Sequence, residues 1–271
     1  MGLSTEGLTF AYPESEPALK GLSLDFSRGN VVGLLGANGC GKSTLFMNLL
    51  GVLKPQSGQV CWQGRPIGYG KAALGQLRRR VAMVFQEPEQ QIFYTDVVSD
   101  IAFALRNLGV EEAEISRRID EALTLVDGQS LRDKPVQYLS HGQKKRVAIA
   151  GALVMQADFL LLDEPTAGLD PTGRRQMIVL LGRILAQGKH VVISSHDIDL
   201  IYEVCDYLYV LDRGELVAQG SAPQVLLDQA VLDRAGLVQP WLVKLHTELG
   251  LPLYPNEAAL FAAHGRKLEA V

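Results

Sequence analysis

The sequence has few cysteines, no excess of basic residues and no long apolar run. Its 271 residues include three cysteines, at positions 40, 61 and 205, and no C-x-x-C pair. Isolated cysteines in odd number argue against a disulfide framework or a cysteine zinc site, and they indicate free thiols in a reducing compartment. The formal net charge is −4, so the basic field that nucleic-acid binding usually needs is missing.

Membrane-spanning and secretory segments are also missing from the sequence. No stretch reaches the roughly 20 apolar residues that a membrane-spanning helix requires. Residues 1–6 lack a basic head and an apolar run, so we expect no signal peptide. A hydrophobic content of 47% is nevertheless ample for a folded core. If the protein serves a membrane, we expect it to do so from one side.

Apolar strands and helices alternate along the chain, which predicts an α/β fold with a mainly parallel sheet. The predicted buried strands are short apolar runs at 31–35, 81–85, 159–162, 191–194 and 208–211. Helices are predicted at 43–50, 111–126 and 140–154. We expect residues 1–222 to form one domain, with a helical subdomain inserted at about 87–155, and residues 223–271 to form a short helical extension.

Residues 36–43 read G-A-N-G-C-G-K-S and fit the phosphate-loop pattern G-x-x-x-x-G-K-[ST]. The motif follows a predicted buried strand and opens a helix, so its backbone N–H groups should cradle phosphates. We expect Lys42 to reach the β- and γ-phosphates of a nucleoside triphosphate, Ser43 to ligate Mg²⁺ and Thr44 to contact the α-phosphate. The predicted nucleotide contacts of this loop are Gly36, Asn38, Gly39, Cys40, Gly41, Lys42, Ser43 and Thr44.

Two acids end the predicted strand at 159–162, at the edge where open α/β sheets bind their ligands. We expect Asp163 to hold Mg²⁺ and Glu164 to act as general base on the attacking water. Residues 139–143 read L-S-H-G-Q, in which Ser140 and Gln143 form an S-x-x-Q capping box. Such a helix start is also a second anion site. Two phosphate-binding helix starts suggest two chains arranged head to tail, each completing the other's nucleotide site.

Residues 139–143 resemble the signature loop of ABC transporter ATPases, usually L-S-G-G-Q, and differ from it by a histidine. The resemblance covers roughly residues 3–222 and implies a P-loop NTPase core with an antiparallel β subdomain. It implies that Ser140, Gly142 and Gln143 bind the partner's nucleotide. By the same resemblance, Tyr12 stacks on adenine, Gln86 senses the γ-phosphate and Mg²⁺, Asp170 ends the D-loop (residues 167–170), and His196 holds the γ-phosphate.

Within this family the chain is similar to energy-coupling-factor importers, above all those for cobalt used in cobalamin synthesis. The resemblance lies in residues 89–93, 140–151 and 239–246. It implies a second copy of the chain, a CbiQ-like membrane coupling protein, CbiM-like and CbiN-like subunits, and a peripheral place on the cytoplasmic face of the membrane. A nickel importer of the same group, or a soluble ABC ATPase uncoupled from transport, remain the alternatives.

Two weaker patterns have structural interpretations. Leu242, Leu245 and Leu249 fall on one helical face, which suits either a dimer contact or packing against the chain's own core. The basic runs at 78–80 and 144–146 are interpreted as solvated helix faces.

Overall fold

Ten strands form two sheets in a computed structural model that describes residues 2–265 of the chain. Their alternation with helices follows from the short apolar runs of the sequence. The strands are β1 (Leu3–Ala11), β2 (Pro17–Asp25), β3 (Val31–Leu35), β4 (Ser57–Trp62), β5 (Arg65–Pro66), β6 (Val81–Val84), β7 (Phe159–Asp163), β8 (His190–Ser194), β9 (Tyr207–Asp212) and β10 (Glu215–Ser221).

The larger sheet has the strand order β10-β9-β3-β8-β7-β6. Strands β9, β3, β8, β7 and β6 pair in parallel, whereas β10 pairs antiparallel to β9. The predicted mainly parallel sheet is confirmed, and its five parallel strands are the five apolar runs of the sequence. The antiparallel edge strand β10 was not predicted, because its residues are largely half-exposed and lack a continuous apolar run.

Both faces of this sheet are buried, which explains the continuous apolar sequence of its strands. Successive residues of β7 alternate between two core clusters: Phe159 and Leu161 join one, and Leu160 and Leu162 the other. The period of two places the clusters on opposite faces of the sheet. One face carries the second sheet, whose antiparallel order is β2-β1-β4-β5.

Helices cover the remaining surfaces of the two sheets. They are α1 (Lys42–Leu49), α2 (Lys71–Arg78), α3 (Val97–Asn107), α4 (Glu112–Leu125), α5 (His141–Leu153), α6 (Pro171–Ala186), α7 (Ile198–Val204), α8 (Ala222–Leu226), α9 (Gln229–Arg234), α10 (Trp241–Leu249) and α11 (Glu257–His264). Helices α3, α4 and α5 pack against one another. None of the helices between residues 2 and 265 is long and apolar enough to cross a bilayer.

The four short helices α8 to α11 form the C-terminal segment, whose last residues, 266–271, lie outside the described residues. Helix α10 packs against the chain's own core, since Leu242 is 5% exposed and Val243 is fully buried. Leu249, by contrast, is 66% exposed. The predicted single face of leucines is therefore divided: its first member belongs to the core and its last faces outward.

Candidate functional site

The phosphate loop (residues 36–43) joins the buried strand β3 to helix α1 and needs glycine at two tight positions. Gly36 and Gly41 have φ of 147° and 107°, a backbone region that L side chains rarely adopt. A Cβ on Gly36 would lie 2.3 Å from the carbonyl oxygen of Leu211, and one on Gly41 would lie 2.6 Å from that of Ala18. A side chain at either position would collide with the backbone of a neighbouring segment, so this loop conformation requires glycine there.

Lys42 is buried at the mouth of this loop, with 7% of its surface exposed. Its Nζ donates to the carbonyl oxygens of Gly36 at 2.7 Å and Ala37 at 3.3 Å. The ammonium group thus lies against the backbone at the start of the loop and adds a full positive charge to the partial charge of the α1 N-terminus. Cys40, within the loop, is 3% exposed, and burial raises the pKa of its thiol.

Asp163 ends β7 and meets the start of α1 across the phosphate loop. The hydroxyl of Ser43 donates to Asp163 Oδ2 at 2.8 Å, and the hydroxyl of Ser194 donates to Oδ1. Asp163 is only 6% exposed, so two hydroxyl donors hold a buried carboxylate in one orientation. A hydroxyl oxygen and a carboxylate oxygen at this distance are the hard ligands that Mg²⁺ prefers, and the pair fits the predicted ion.

Glu164 follows in a left-handed backbone conformation, with φ of 48°, and is 5% exposed. Three groups converge on its Oε2: the Ser195 hydroxyl at 3.1 Å, the His196 amide at 3.2 Å and the His196 Nδ1 at 2.8 Å. The ring of His196 remains accessible, since 63% of its side chain is exposed. The two predicted catalytic side chains are therefore in direct contact.

One cavity gathers most of the residues that the sequence assigns to the nucleotide and metal. Tyr12 lies at its rim, 44% exposed, with its hydroxyl 3.3 Å from the hydroxyl of Thr44. Ala18 of β2 also lines it, and nothing in the sequence pointed to that residue. The predicted residues that line this cavity are Tyr12, Asn38, Gly39, Gly41, Lys42, Ser43, Thr44, Gln86, Asp163 and Glu164.

A second cavity contains the other predicted nucleotide contacts: Ser140, Gly142, Gln143 and Asp170. The amide of Gln143 donates to the Ser140 hydroxyl at 3.3 Å, and the amide of Ser140 donates to Gln143 Oε1 at 3.0 Å, which completes the predicted capping box. Asp170 caps α6 by accepting from the Gly173 amide at 2.6 Å. Within one chain, the structure does not bring these residues to the phosphate loop.

The histidine that departs from the usual signature sequence contacts the D-loop. A Cβ on Gly168 would lie 2.9 Å from His141 Nε2, so this ring packs directly on the glycine backbone. His141 Nε2 is buried without a hydrogen-bond partner among the described residues. His141, Glu87 and Glu89 bring ligand-type atoms within 4.8 Å of one another. We assign no ion to this group, because both glutamates are exposed and the Lys144 ammonium already contacts Glu89 at 2.9 Å.

The interpretation of residues 144–146 as a solvated face is wrong, although the run at 78–80 is exposed as predicted. Lys145 is 1% exposed, and its Nζ donates to the carbonyl oxygens of Glu164 at 3.2 Å and Ala167 at 2.9 Å. Arg146 donates to the carbonyl oxygen of Asp127 at 3.0 Å. Sequence patterns do not indicate these hydrogen-bond partners, since they lie far along the chain.

The fold and the two loops together define an ATP-binding cassette. The chain matches the model of the ABC transporter family over residues 19–167, more than half of its length. It belongs to that family. As a member it is an ATPase whose cofactors are ATP and Mg²⁺, as the phosphate loop and the Ser43–Asp163 contact predict.

Comparison with individual proteins shows which members of the ABC transporter family this chain is similar to. The chain is 65% identical to the cobalt import ATP-binding protein CbiO of Salmonella typhimurium, over 96% of this chain and 95% of that protein. It is 42% identical to the energy-coupling factor transporter ATP-binding protein EcfA of Methanocaldococcus jannaschii, over 90% of this chain and 87% of that one. The solved structure of cbiO1 from Clostridium perfringens, described as part of the ABC transporter complex cbiONQ, has a TM-score of 0.78 and 40% identity, covering 92% of this chain and 95% of that one.

Proposed function

We propose that this chain is the ATP-hydrolysing subunit of an energy-coupling-factor importer that takes up a divalent transition-metal ion, with Co²⁺ as the preferred substrate. The choice of cobalt rests on the 65% identity to the Salmonella cobalt import ATP-binding protein, which extends over 96% of the chain. A nickel importer of the same group is the alternative. The proposal for ATP turnover rests on the contacts of Asp163 and Glu164.

The nucleotide site is completed by a second copy of the chain. The phosphate loop and the signature loop (residues 139–143) line separate cavities in one chain. Ser140 is exposed, so it is free to face a neighbouring molecule. Two copies arranged head to tail bring the α5 N-terminus of one chain over the phosphate loop of the other. Each triphosphate then lies between two helix N-termini, whose partial positive charges stabilise it.

Each residue of the nucleotide site has a separate role in ATP binding or hydrolysis. Lys42 and the phosphate-loop amides bind and orient the phosphates, and Tyr12 stacks on the adenine ring. Ser43, Asp163 and Gln86 hold Mg²⁺, which when bound neutralises charge on the β- and γ-phosphates. Glu164 accepts a proton from the attacking water. His196, in contact with Glu164 Oε2 at 2.8 Å, keeps that carboxylate in place and presents its exposed ring to the γ-phosphate.

The partner that couples hydrolysis to transport is a membrane protein of the CbiQ type, accompanied by CbiM-like and CbiN-like subunits. Support for a docking surface comes from the segment after Gln86, where Phe93 is 75% exposed and Tyr94 is 43% exposed. Exposed aromatic side chains are typical of protein interfaces. The chain then lies at the cytoplasmic face of the membrane, held there by its partner.

We also propose the division into two parts that the sequence predicts. Residues 1–222 form the nucleotide-binding domain, with the helical subdomain at about 87–155, and 223–271 form the extension. Two hydrogen bonds dock the extension on this domain: Trp241 at the start of α10 donates its amide to Asp199 Oδ1 at 2.9 Å, and Tyr202 donates its hydroxyl to the Tyr254 carbonyl oxygen at 2.8 Å. Both contacts attach the extension to α7, the helix after His196.

Metal uptake by the assembled transporter tests the proposal. The chain is purified from membranes together with its partners, reconstituted into vesicles, and supplied with ATP and radioactive Co²⁺. We expect ATP-dependent Co²⁺ accumulation that excess Ni²⁺ suppresses only weakly, and none with Glu164→Gln. Accumulation of Ni²⁺ in preference to Co²⁺ selects the nickel alternative. Recovery of the chain without any membrane protein, and with full ATPase activity, contradicts the coupling to transport.

A further inference from the structure

Lys145 is a buried cation outside the catalytic residues described above. It lies in the second turn of α5, the helix that begins at the signature loop, and is 1% exposed. Its two hydrogen bonds, to the carbonyl oxygens of Glu164 and Ala167, span one backbone turn. That turn is closed by the Ala167 amide, which donates to the Glu164 carbonyl oxygen at 3.1 Å. Lys145 therefore fastens both ends of the turn that carries Glu164.

Burying this ammonium group is costly, and the surroundings do not neutralise it. No carboxylate within residues 2–265 lies close enough to form an ion pair with Lys145, whose contacts are neutral carbonyl groups. Burial accordingly lowers the pKa of Lys145, while the charges of Glu87, Glu164 and Glu89 act in the opposite direction. An apolar side chain would fill the same space without this cost. The hydrogen bonds to the turn are what the lysine adds.

The turn that Lys145 fastens is conformationally strained. Glu164 has φ of 48°, which for a side chain with a Cβ persists only where neighbouring contacts fix it. One such contact is the Glu164 amide, which donates to the Ser194 carbonyl oxygen at 2.9 Å. The bond from Lys145 holds the carbonyl side of the same residue. Together they fix the backbone from which the Glu164 carboxylate reaches His196.

We propose that Lys145 is a positioning residue for ATP hydrolysis, which holds the 164–167 turn so that the Glu164 carboxylate stays beside His196. This inference rests on the proposed role of Glu164. Lys145 also connects the two nucleotide sites of a head-to-tail pair. The N-terminus of α5 faces the nucleotide of the partner chain, and Glu164 faces the nucleotide of its own chain. Lys145 links these two points within one helix and one turn.

The test uses two variants of Lys145 and one matched control in the full-length chain. Lys145→Met keeps the length of the side chain and removes its donors, whereas Lys145→Arg keeps donors and charge. Lys189→Met is the control, because Lys189 also donates to a carbonyl oxygen, that of Ala157 at 2.8 Å, and burial also lowers its pKa. Lys189 lies outside the nucleotide cavity. Thermal unfolding reports the stability of each variant.

We expect Lys145→Met to lower kcat about 10- to 100-fold with the KM for ATP unchanged, since two hydrogen bonds from a charged group are lost. Lys145→Arg should recover part of kcat, and Lys189→Met should keep kcat even where its stability falls. If Lys145→Met does not fold, Lys145→Arg and Lys145→Gln are compared by the same kcat and KM measurements. Wild-type kcat in Lys145→Met, or in Lys145→Gln where Lys145→Met does not fold, overturns the proposal.

A double variant separates this inference from the proposed role of Glu164. If Lys145 acts through the carboxylate, Lys145→Met in a Glu164→Gln background should lower the residual rate less than about 2-fold. Full additivity of the two losses means that Lys145 acts elsewhere and overturns the inference. A Glu164→Gln variant with wild-type turnover contradicts the role of Glu164 instead, whatever the single Lys145 variants show.

Discussion

The Nδ1 of His196 lies 2.8 Å from the Oε2 of Glu164. The two residues follow neighbouring parallel strands, β7 and β8, whose register pairs Asp163 with Ser194. One residue beyond Asp163 and two residues beyond Ser194, the carboxylate and the imidazole meet at the carboxyl edge of the sheet. This is the edge where an open parallel sheet places its ligand site. Both residues therefore lie within two positions of the end of an apolar run in the sequence.

Replacing Glu164 with glutamine should separate ATP binding from turnover. The amide keeps the shape of the side chain and loses the ability to accept the proton, so we expect kcat to fall about 10²- to 10⁴-fold with ATP affinity retained. The measurement is steady-state hydrolysis beside equilibrium binding of ATP. Glu111→Gln, at an exposed position of the helical subdomain, is the control and should change neither. Undiminished turnover in Glu164→Gln would remove this residue as the base.

Loss of the Tyr12 ring should weaken nucleotide binding. Stacking of a base on an aromatic ring is worth about 1–3 kcal/mol, so Tyr12→Ala should raise the Kd for ATP about 5- to 150-fold. Tyr12→Phe should stay near the wild-type value, because the hydroxyl contact to Thr44 at 3.3 Å is long and exposed. Phe261→Ala, which removes a ring 58% exposed on α11, is the matched control. Equal affinities for all four proteins contradict the stacking role.

The hydroxyl of Tyr209 joins the two sheets and should make stability depend on pH in the alkaline range. It donates to the Asp25 carbonyl oxygen and accepts from the Asp25 amide, both at 2.8 Å. Burial raises the pKa of Tyr209 to about 12, from about 10 in an unfolded chain. The native state thus keeps a proton that the unfolded state loses. The contribution of the protonated Tyr209 hydroxyl to the free energy of unfolding is therefore complete below pH about 10 and is lost as pH rises through about 12.

Tyr209→Phe isolates that contribution. Urea unfolding should show that the free energy of unfolding of Tyr209→Phe is about 1–3 kcal/mol lower than that of wild type near neutral pH. This difference should shrink as pH rises from about 10 to about 12. Tyr138→Phe, at a position 76% exposed, should match wild type throughout. A constant difference between Tyr209→Phe and wild type across the alkaline range argues that the phenol does not titrate there.

The two ends of the α10 leucine face should differ in their effect on stability. Leu242 is 5% exposed and belongs to the core, so Leu242→Ala should lower the free energy of unfolding by about 2–5 kcal/mol. Leu249 is 66% exposed, and Leu249→Ala should cost less than about 0.5 kcal/mol. Chemical denaturation measures both. Similar losses for the two variants would mean that the packing of α10 differs from that described above.

The elements that could be predicted from the sequence are those specified by nearby residues. The buried strands follow from continuous apolar runs, and the phosphate loop follows from a motif of eight consecutive residues. The capping box of Ser140 and Gln143 is likewise contained in four neighbouring residues. Such features need no knowledge of the distant chain, and the structure has them within one or two residues of the predicted bounds.

What could not be predicted depends on partners far along the chain. Lys145 looks like one member of a basic run, and its burial follows only from its contact with the 164–167 turn. Nothing in the sequence indicates that the hydroxyls of Ser194 and Ser195 bond to the carboxylates of Asp163 and Glu164 across the strand pair. Leu242 and Leu249 share a helical face, and only the docking of α10 decides which one is buried.

The central claim is that each nucleotide site combines the phosphate loop of one chain with the signature loop of the other. It is tested by mixing two inactive variants, Lys42→Ala and Ser140→Ala. A mixed dimer has one site with both defects and one with neither. Random pairing should therefore restore ATP hydrolysis to about a quarter of the wild-type rate, from sites that neither variant has alone. A mixture as inactive as its two components would contradict the account.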